Sequence, residues 1–208
     1  MIDGFTCPLR DVSAGLPQGS PLSPVLWIIY IHALLKKINE TFPDRINISF
    51  IDDISLIAEG KDAEDVAKLL GEAGSQLVHL GKEHHIGFDE EKTEAVLFTR
   101  KRKQLQKMRD LQIQLPNFTC KFQKEATRWL GFWLNSKLLF KEHFHIRYQK
   151  AEKVLRLIAP MVKQSGLPSS LVRKIQVVTV QSIALYGSEL WWEGQKHYQE
   201  KIQKLLNK

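Results

Sequence analysis

Asp52 and Asp53 stand side by side between two short runs, Ile46-Asn47-Ile48-Ser49-Phe50-Ile51 before them and Ile54-Ser55-Leu56-Ile57-Ala58 after. Each run alternates in character over a few residues, the signature of a half-buried strand. An Asp-Asp step between two such runs reads as a tight hairpin turn, because short acids bond their own backbone there. The two carboxylates are thereby held at the tip of a β-hairpin. Acid groups so placed can be presented to a metal ion. An acid pair is also a plain way to turn a chain. Read alone, Asp52 and Asp53 fit either role.

The flanking elements must hold that tip. Residues 15–24, Gly-Leu-Pro-Gln-Gly-Ser-Pro-Leu-Ser-Pro, carry two glycines and three prolines, so the first half of this stretch is a loop. Ser20 then reads as an N-cap with Pro21 at the first helical position. The apolar stretch from Leu22 to Leu35, ended by Lys36 and Lys37, predicts a largely buried helix over residues 21–40. After the acids, Asp62 caps a helix with Val66, Leu69, Leu70, Ala73, Leu77 and Leu80 at helical spacing, and Gly81 ends or loosens it. His84 and His85 are adjacent, so on a helix they point apart, and no third ligand accompanies them. Residues 87–94 form a loop leading into a strand at 95–98. Arg100-Lys101-Arg102-Lys103 is a compact basic run, a solvated loop, a targeting patch or a phosphate contact. Short strands follow at 111–115, 118–122 and 127–134, the first pair turned by Pro116 and Asn117. Beyond Phe140 the pattern is helical: a long basic amphipathic helix over 142–163, a stop near Gly166-Leu167-Pro168, another helix to 184, a break at 186–192, and a final helix over 197–208. Residues 1–140 are expected to be α+β and residues 141–208 all-helical.

The totals set the class. A chain of 208 residues with 43% hydrophobic and 25% charged residues has the composition of a globular protein with a real core. A net charge of +7 favours phosphate-rich partners at long range. Cys7 and Cys120 are far apart and form no metal-ligand spacing, which suits a reducing compartment. The longest apolar run, residues 25–31, is too short to span a membrane. No secretory signal pattern opens the chain. An intracellular site, nuclear or cytoplasmic, is expected.

Four stretches occur in one order at sensible spacing: residues 15–24, Phe50-Ile51-Asp52-Asp53, Glu91-Lys92-Thr93-Glu94 and Trp129-Leu130-Gly131-Phe132. They resemble the successive palm motifs B, C, D and E of reverse transcriptases, in the variant of non-LTR (LINE-type) retrotransposons. Ala184-Leu185-Tyr186-Gly187-Ser188-Glu189-Leu190-Trp191 is similar to a segment beyond the thumb of those elements. The resemblance implies a partial polymerase palm, an antiparallel sheet with two backing helices, followed by a helical thumb. It implies RNA-directed DNA polymerase activity by two-metal nucleotidyl transfer, with two Mg2+ ions, or Mn2+ in their place, held by Asp52 and Asp53. Lys92 would neutralise the leaving pyrophosphate and give it a proton, although it also suits a charged surface loop. Gln18, Gly19, Ser20 and Pro21 would meet template and nucleotide. Trp129 to Leu134 would form the hairpin that grips the primer end, through Trp129, Leu130 and Gly131, or simply pack in a core. Arg100, Lys101, Arg102 and Lys103, with the basic helix after 141, would meet nucleic-acid phosphates. The implied partners are an RNA template, a DNA primer and a dNTP, with no membrane.

The chain also departs from the family. Motif A brings a further aspartate on a strand well before motif B, and only fourteen residues precede Gly15. Asp3 lies beside Gly4 in a turn pattern and Asp11 abuts the motif B loop, so neither fits that strand. Ile51 is bulkier than the small residue the family often has there. The expected missing partner is the N-terminal fingers and palm segment of the same polyprotein. The expectation is a reverse transcriptase fragment inactive alone. The alternatives are a non-catalytic nucleic-acid-binding remnant of a decayed element and a marginal fragment that folds poorly.

Overall fold

The computed structural model describes residues 15–123 and 125–206. The expectations for Asp3, Gly4 and Asp11 lie outside the described residues. The described chain forms two compact units. One comprises the residues up to Thr93 together with Ile113–Cys120, and the other comprises Glu94–Gln112 with the residues from Lys121 onward.

In the first unit, helix α1 spans Ser23–Thr41. It begins two residues later than the sequence predicts. The Ser20 hydroxyl accepts from the Leu22 amide at 3.3 Å, so Ser20 stabilises the turn before the helix rather than capping it. Pro24 occupies the first turn, where its missing N–H costs nothing. The hairpin follows as β1 (Ile46–Phe50) and β2 (Asp53–Ile57), antiparallel, with Phe50 opposite Asp53. Helix α2 spans Ala63–Glu83, and the Asp62 carboxylate accepts from the Glu64 amide at 3.0 Å as the predicted N-cap. Ile31, Leu34 and Ile38 of α1 and Leu77 and Leu80 of α2 make one buried cluster, with Ile54 and Leu56 of β2 packed on it. Truncating Leu34 or Leu80 there would cost about 2–5 kcal/mol.

Helix α1 is not largely buried. Leu22, Val25, Leu26, Ile28, Ile29 and Tyr30 are exposed. Its apolar run covers more than the one stripe that α2 and the hairpin occupy. The hairpin shows the same excess. Ile46, Ile48, Phe50 and Ile57 face outward, while polar Asn47 and Ser49 lie on the half-buried face with Ile54 and Leu56. The Asn47 amide turns inward to the Asn39 side chain at 2.6 Å.

Helix α3 (Arg102–Lys107) begins within the basic run, at Arg102, where a loop was one of the expected readings. Strands β3 (Gln112–Gln114) and β4 (Thr119–Lys121) pair across the Pro116-Asn117 turn. The strand expected at 95–98 is absent among the described residues. Only Ala95 bridges, in parallel, to Phe122.

In the second unit, the apolar stretch at 127–134 is a hairpin, β5 (Thr127–Trp129) and β6 (Phe132–Leu134). Helix α4 spans Lys141–Ser165 and ends at Gly166 in the left-handed region, the predicted stop. Helix α5 (Ser169–Ile175) runs through a π-helical stretch at Gln176–Gln181 into α6 (Ser182–Ala184). A short α7 (Ser188–Trp191) forms within the expected break, and α8 (Lys196–Leu206) closes the described chain. Ala151, Leu155, Val180, Ala184 and Leu205 form one buried cluster, and Phe144, Trp191, Tyr198 and Ile202 another. The fold is α+β, with strand pairing distributed over three two-stranded sheets among the described residues.

Candidate active site

The acid tip is built by a two-residue turn. Because Phe50 pairs with Asp53, the turn residues are Ile51 and Asp52, not Asp52 and Asp53. Asp53 is the first residue of β2, and both carboxylates are exposed. Ile51 adopts φ 54°. A β-branched residue in the left-handed region is strained by about 1–3 kcal/mol, so the surroundings must hold it. The Trp27 indole of α1 does so by donating a hydrogen bond to the Ile51 carbonyl. Nothing in the sequence marks Trp27, which sits within an unbroken apolar run.

Lys92 lies in a loop organised by Asp89. The Asp89 carboxylate accepts from the amides of Glu91 and Lys92 at 3.1 and 3.3 Å, and its backbone carbonyl accepts from the Thr93 hydroxyl at 2.7 Å. The Lys92 ammonium pairs with the same carboxylate at 2.7 Å. That hydrogen bond and charge, with a smaller contribution from Asp52, hold the ammonium protonated beyond its ordinary range, and Asp89 is lowered in return. Asp89 is likewise unmarked in the sequence, being one acid in a charged loop.

The loop before α1 leaves Gln18, Gly19 and Pro21 exposed and Ser20 half-buried. Gly19 has φ 86°, a conformation glycine adopts without strain. The Ser23 hydroxyl donates to the Pro17 carbonyl at 2.7 Å, tying the loop to the first turn of α1.

Trp129, Leu130 and Gly131 fall on the β5–β6 hairpin, whose turn residues Leu130 and Gly131 have φ 46° and 83°. Positive φ at both positions is the requirement of a type I′ turn, whose twist matches the strands. Behind the turn lies His143, fully buried in α4. Its Nδ1 accepts from the Trp133 amide at 3.2 Å, which leaves Nε2 to donate to the Tyr186 carbonyl at 3.0 Å. Burial, and less so the nearby Arg147 charge, lowers its pKa against the opposing bond to Tyr186. The Trp191 indole donates to the same carbonyl at 3.2 Å. Phe132 stacks on His143 and leans on Tyr186, each at 5.3 Å between ring centres. A Cβ on Gly187 would sit 2.0 Å from the Phe132 ring, so no side chain fits there. Arg100, Lys101, Arg102 and Lys103 are all exposed, with Arg102 opening α3.

Asp52, Asp53 and Lys92 all belong to the first unit. The second carries the 129–131 turn and the basic run. Asp52 and Asp53 offer the hard, exposed oxygen donors that magnesium prefers. Among the described residues they are joined by no third metal-ligating side chain, so they fit as part of a ligand set completed by waters and substrate oxygens. His84 and His85 belong to no such group either.

The profile of the family described as reverse transcriptase (RNA-dependent DNA polymerase) matches residues 5–134. The chain is 25% identical over 200 residues to the probable RNA-directed DNA polymerase from transposon X-element of Drosophila melanogaster, covering 96% of this chain and 21% of that protein. It is 21% identical over 184 residues to the retrovirus-related Pol polyprotein from type-1 retrotransposable element R1 of Nasonia vitripennis, covering 88% of this chain and 54% of that protein. A second Nasonia vitripennis R1 polyprotein is 24% identical over 187 residues, with 88% and 44% covered. No solved structure matches significantly. The chain spans between about a fifth and about half of the length of these relatives. With the family profile matched across the acid hairpin, the loop before α1 and the β5–β6 turn, the chain belongs to the reverse transcriptase (RNA-dependent DNA polymerase) family.

Proposed function

We propose that these residues are the palm and thumb portion of an RNA-directed DNA polymerase of a non-LTR, LINE-type retrotransposon, with residues 1–140 as palm and 141–208 as thumb. The observation that carries the reading is the presentation of Asp52 and Asp53 at the hairpin tip within the matched stretch. Asp52, at the turn, is the principal divalent-metal ligand, and Asp53 a weaker one. Two such ions, when bound, activate the attacking primer hydroxyl and stabilise the leaving oxygens. Lys92 offsets the charge of the departing pyrophosphate and protonates it, after giving up its pair with Asp89. Gln18, Gly19, Ser20 and Pro21 meet template and nucleotide, and Trp129, Leu130 and Gly131 meet the primer end. Arg100, Lys101, Arg102 and Lys103 contact backbone phosphates. The RNA template, DNA primer and dNTP are partners on this reading, as are the upstream fingers and palm of the same polyprotein. An intracellular site follows from that chemistry. No helix among the described residues is long and apolar enough to cross a membrane.

Two carboxylates are few for two divalent ions. The 208 residues alone are therefore expected to add no dNTP to a primed RNA template with Mg2+ or Mn2+. The same residues joined to an upstream palm segment of a related element are expected to extend the primer, and Asp52→Asn is expected to reduce that rate by orders of magnitude. Extension that survives Asp52→Asn would sink the assignment. A second reading, a non-catalytic nucleic-acid-binding remnant, is favoured by the +7 charge and the lack of a third ligand among the described residues. It predicts hybrid binding that weakens with salt, with no extension in either form.

A further inference from the structure

The turn at Leu130 and Gly131 is held from behind by two side chains distant in sequence. The Tyr186 hydroxyl donates to the Leu130 carbonyl at 2.9 Å. The Arg147 Nη2 donates to the Gly131 carbonyl at 2.7 Å, and its guanidinium lies 3.9 Å above the Tyr186 ring. A Cβ on Gly131 would meet the Tyr186 hydroxyl at 3.0 Å and Arg147 Nη2 at 3.1 Å. Both carbonyls of the turn are thus consumed by the protein. No peptide among the described residues is cis, so the Gly131 N–H points opposite to the Leu130 carbonyl, away from Tyr186. The Leu130 and Gly131 amides have no acceptor among the described residues.

We propose that Arg147 and Tyr186 are positioning residues that turn both carbonyls of this turn inward, so that it meets a nucleic-acid phosphate with N–H groups rather than carbonyl oxygens. A carbonyl facing a phosphodiester repels it, whereas successive backbone amides attract it. A plain hairpin has no need of this arrangement, since water satisfies the carbonyls of an exposed turn. Here an arginine gives up part of its hydration to hold one of them. His143 sets the other end, fixing the Tyr186 backbone through its carbonyl. The inference rests on the reading of 129–131 as the segment that meets the primer strand.

The test uses the full 208-residue chain and a fluorescent RNA–DNA hybrid with a recessed 3′ end. Anisotropy is followed over a range of salt concentrations, and the Gly131 amide resonance is followed as hybrid is added. Wild type is expected to bind and the Gly131 amide to shift. Tyr186→Phe keeps the ring, and Arg147→Lys keeps the charge. With melting curves showing both variants folded, each is expected to weaken binding several-fold, with the slope of log affinity against log salt unchanged because neither substitution removes a charge. A role in charge alone would leave Arg147→Lys like wild type. If the Gly131 amide shifts but both variants bind as wild type does, the positioning inference fails by itself. If wild type does not bind, or binds without moving Gly131, the primer-strand reading fails and takes this inference with it.

Discussion

His143 shows how far one side chain can act without touching a substrate. It is fully buried, and its ring is committed at both nitrogens. Protonation would place a second N–H against the Trp133 amide, two donors facing each other. Burial holds its folded pKa below the ordinary value of 6.5. As pH falls below that value, the unfolded chain takes up a proton that the folded chain refuses. Stability therefore drops as pH falls through this window and levels off below the folded pKa. Melting temperature measured from pH 8 to pH 5 is expected to decline toward the acid end, and His143→Gln is expected to be less stable but flat over the same range. Equal slopes would show that another group titrates. Nothing in the sequence marks this residue, since His143 and His145 on an amphipathic helix both read as surface. Asp52 and Asp53 were legible because two strand-like runs flank them. Which residue occupies the turn was not, because the pairing of Phe50 with Asp53 depends on how the strands register against the helices.

Elements with strong local signals were read closely. The α2 cap at Asp62, the stop at Gly166 and the long basic helix all depend on side chains within a few residues of one another. The strand expected at 95–98 depended on partners elsewhere in the chain, and only Ala95 found one. The resemblance implied the hairpin at 129–134, but the mostly apolar pattern alone reads as one strand. What fixes that turn is contact with Arg147 and Tyr186, 16 and 56 positions away. Gly187 is the tightest point of that contact. It has φ 68° and lies against the Phe132 ring. Gly187→Ala must displace Phe132 or the 186–191 segment, and overpacking of this kind costs about 1–3 kcal/mol. A lowered urea midpoint with an unchanged m-value is expected. An unchanged midpoint would mean the segment yields freely.

Across the whole molecule, composition suggested a core large enough for the chain, and buried clusters exist in both units. Composition did not suggest how much apolar surface stays outside. Ile28 and Ile29 are 59% and 66% exposed on α1, and Phe50 is 56% exposed on β1. Exposed apolar groups in this number mark a surface prone to association. Ile29→Lys is expected to leave the melting temperature nearly unchanged, since surface changes shift stability by about 0.5 kcal/mol or less. It is also expected to reduce binding of an apolar-surface dye and delay aggregation. A large loss of stability would mean Ile29 is packed against the fold.

The bonds from Tyr186 back to the β5–β6 turn carry a further consequence, for the order in which the protein is made. A chain is synthesised from its N-terminus, and elements fold as their partners emerge. The acid hairpin finds α1 and α2 among its near neighbours in sequence and can be complete early. Leu130 must wait for a partner 56 residues later. Until Tyr186 and Trp191 leave the ribosome, the apolar hairpin at 127–134 is without the support that orients it. A ribosome that stalls before position 186 would release a chain with its acids in place and its turn unfixed. Such a product would keep the residues assigned to metal binding and lack the geometry assigned to the primer.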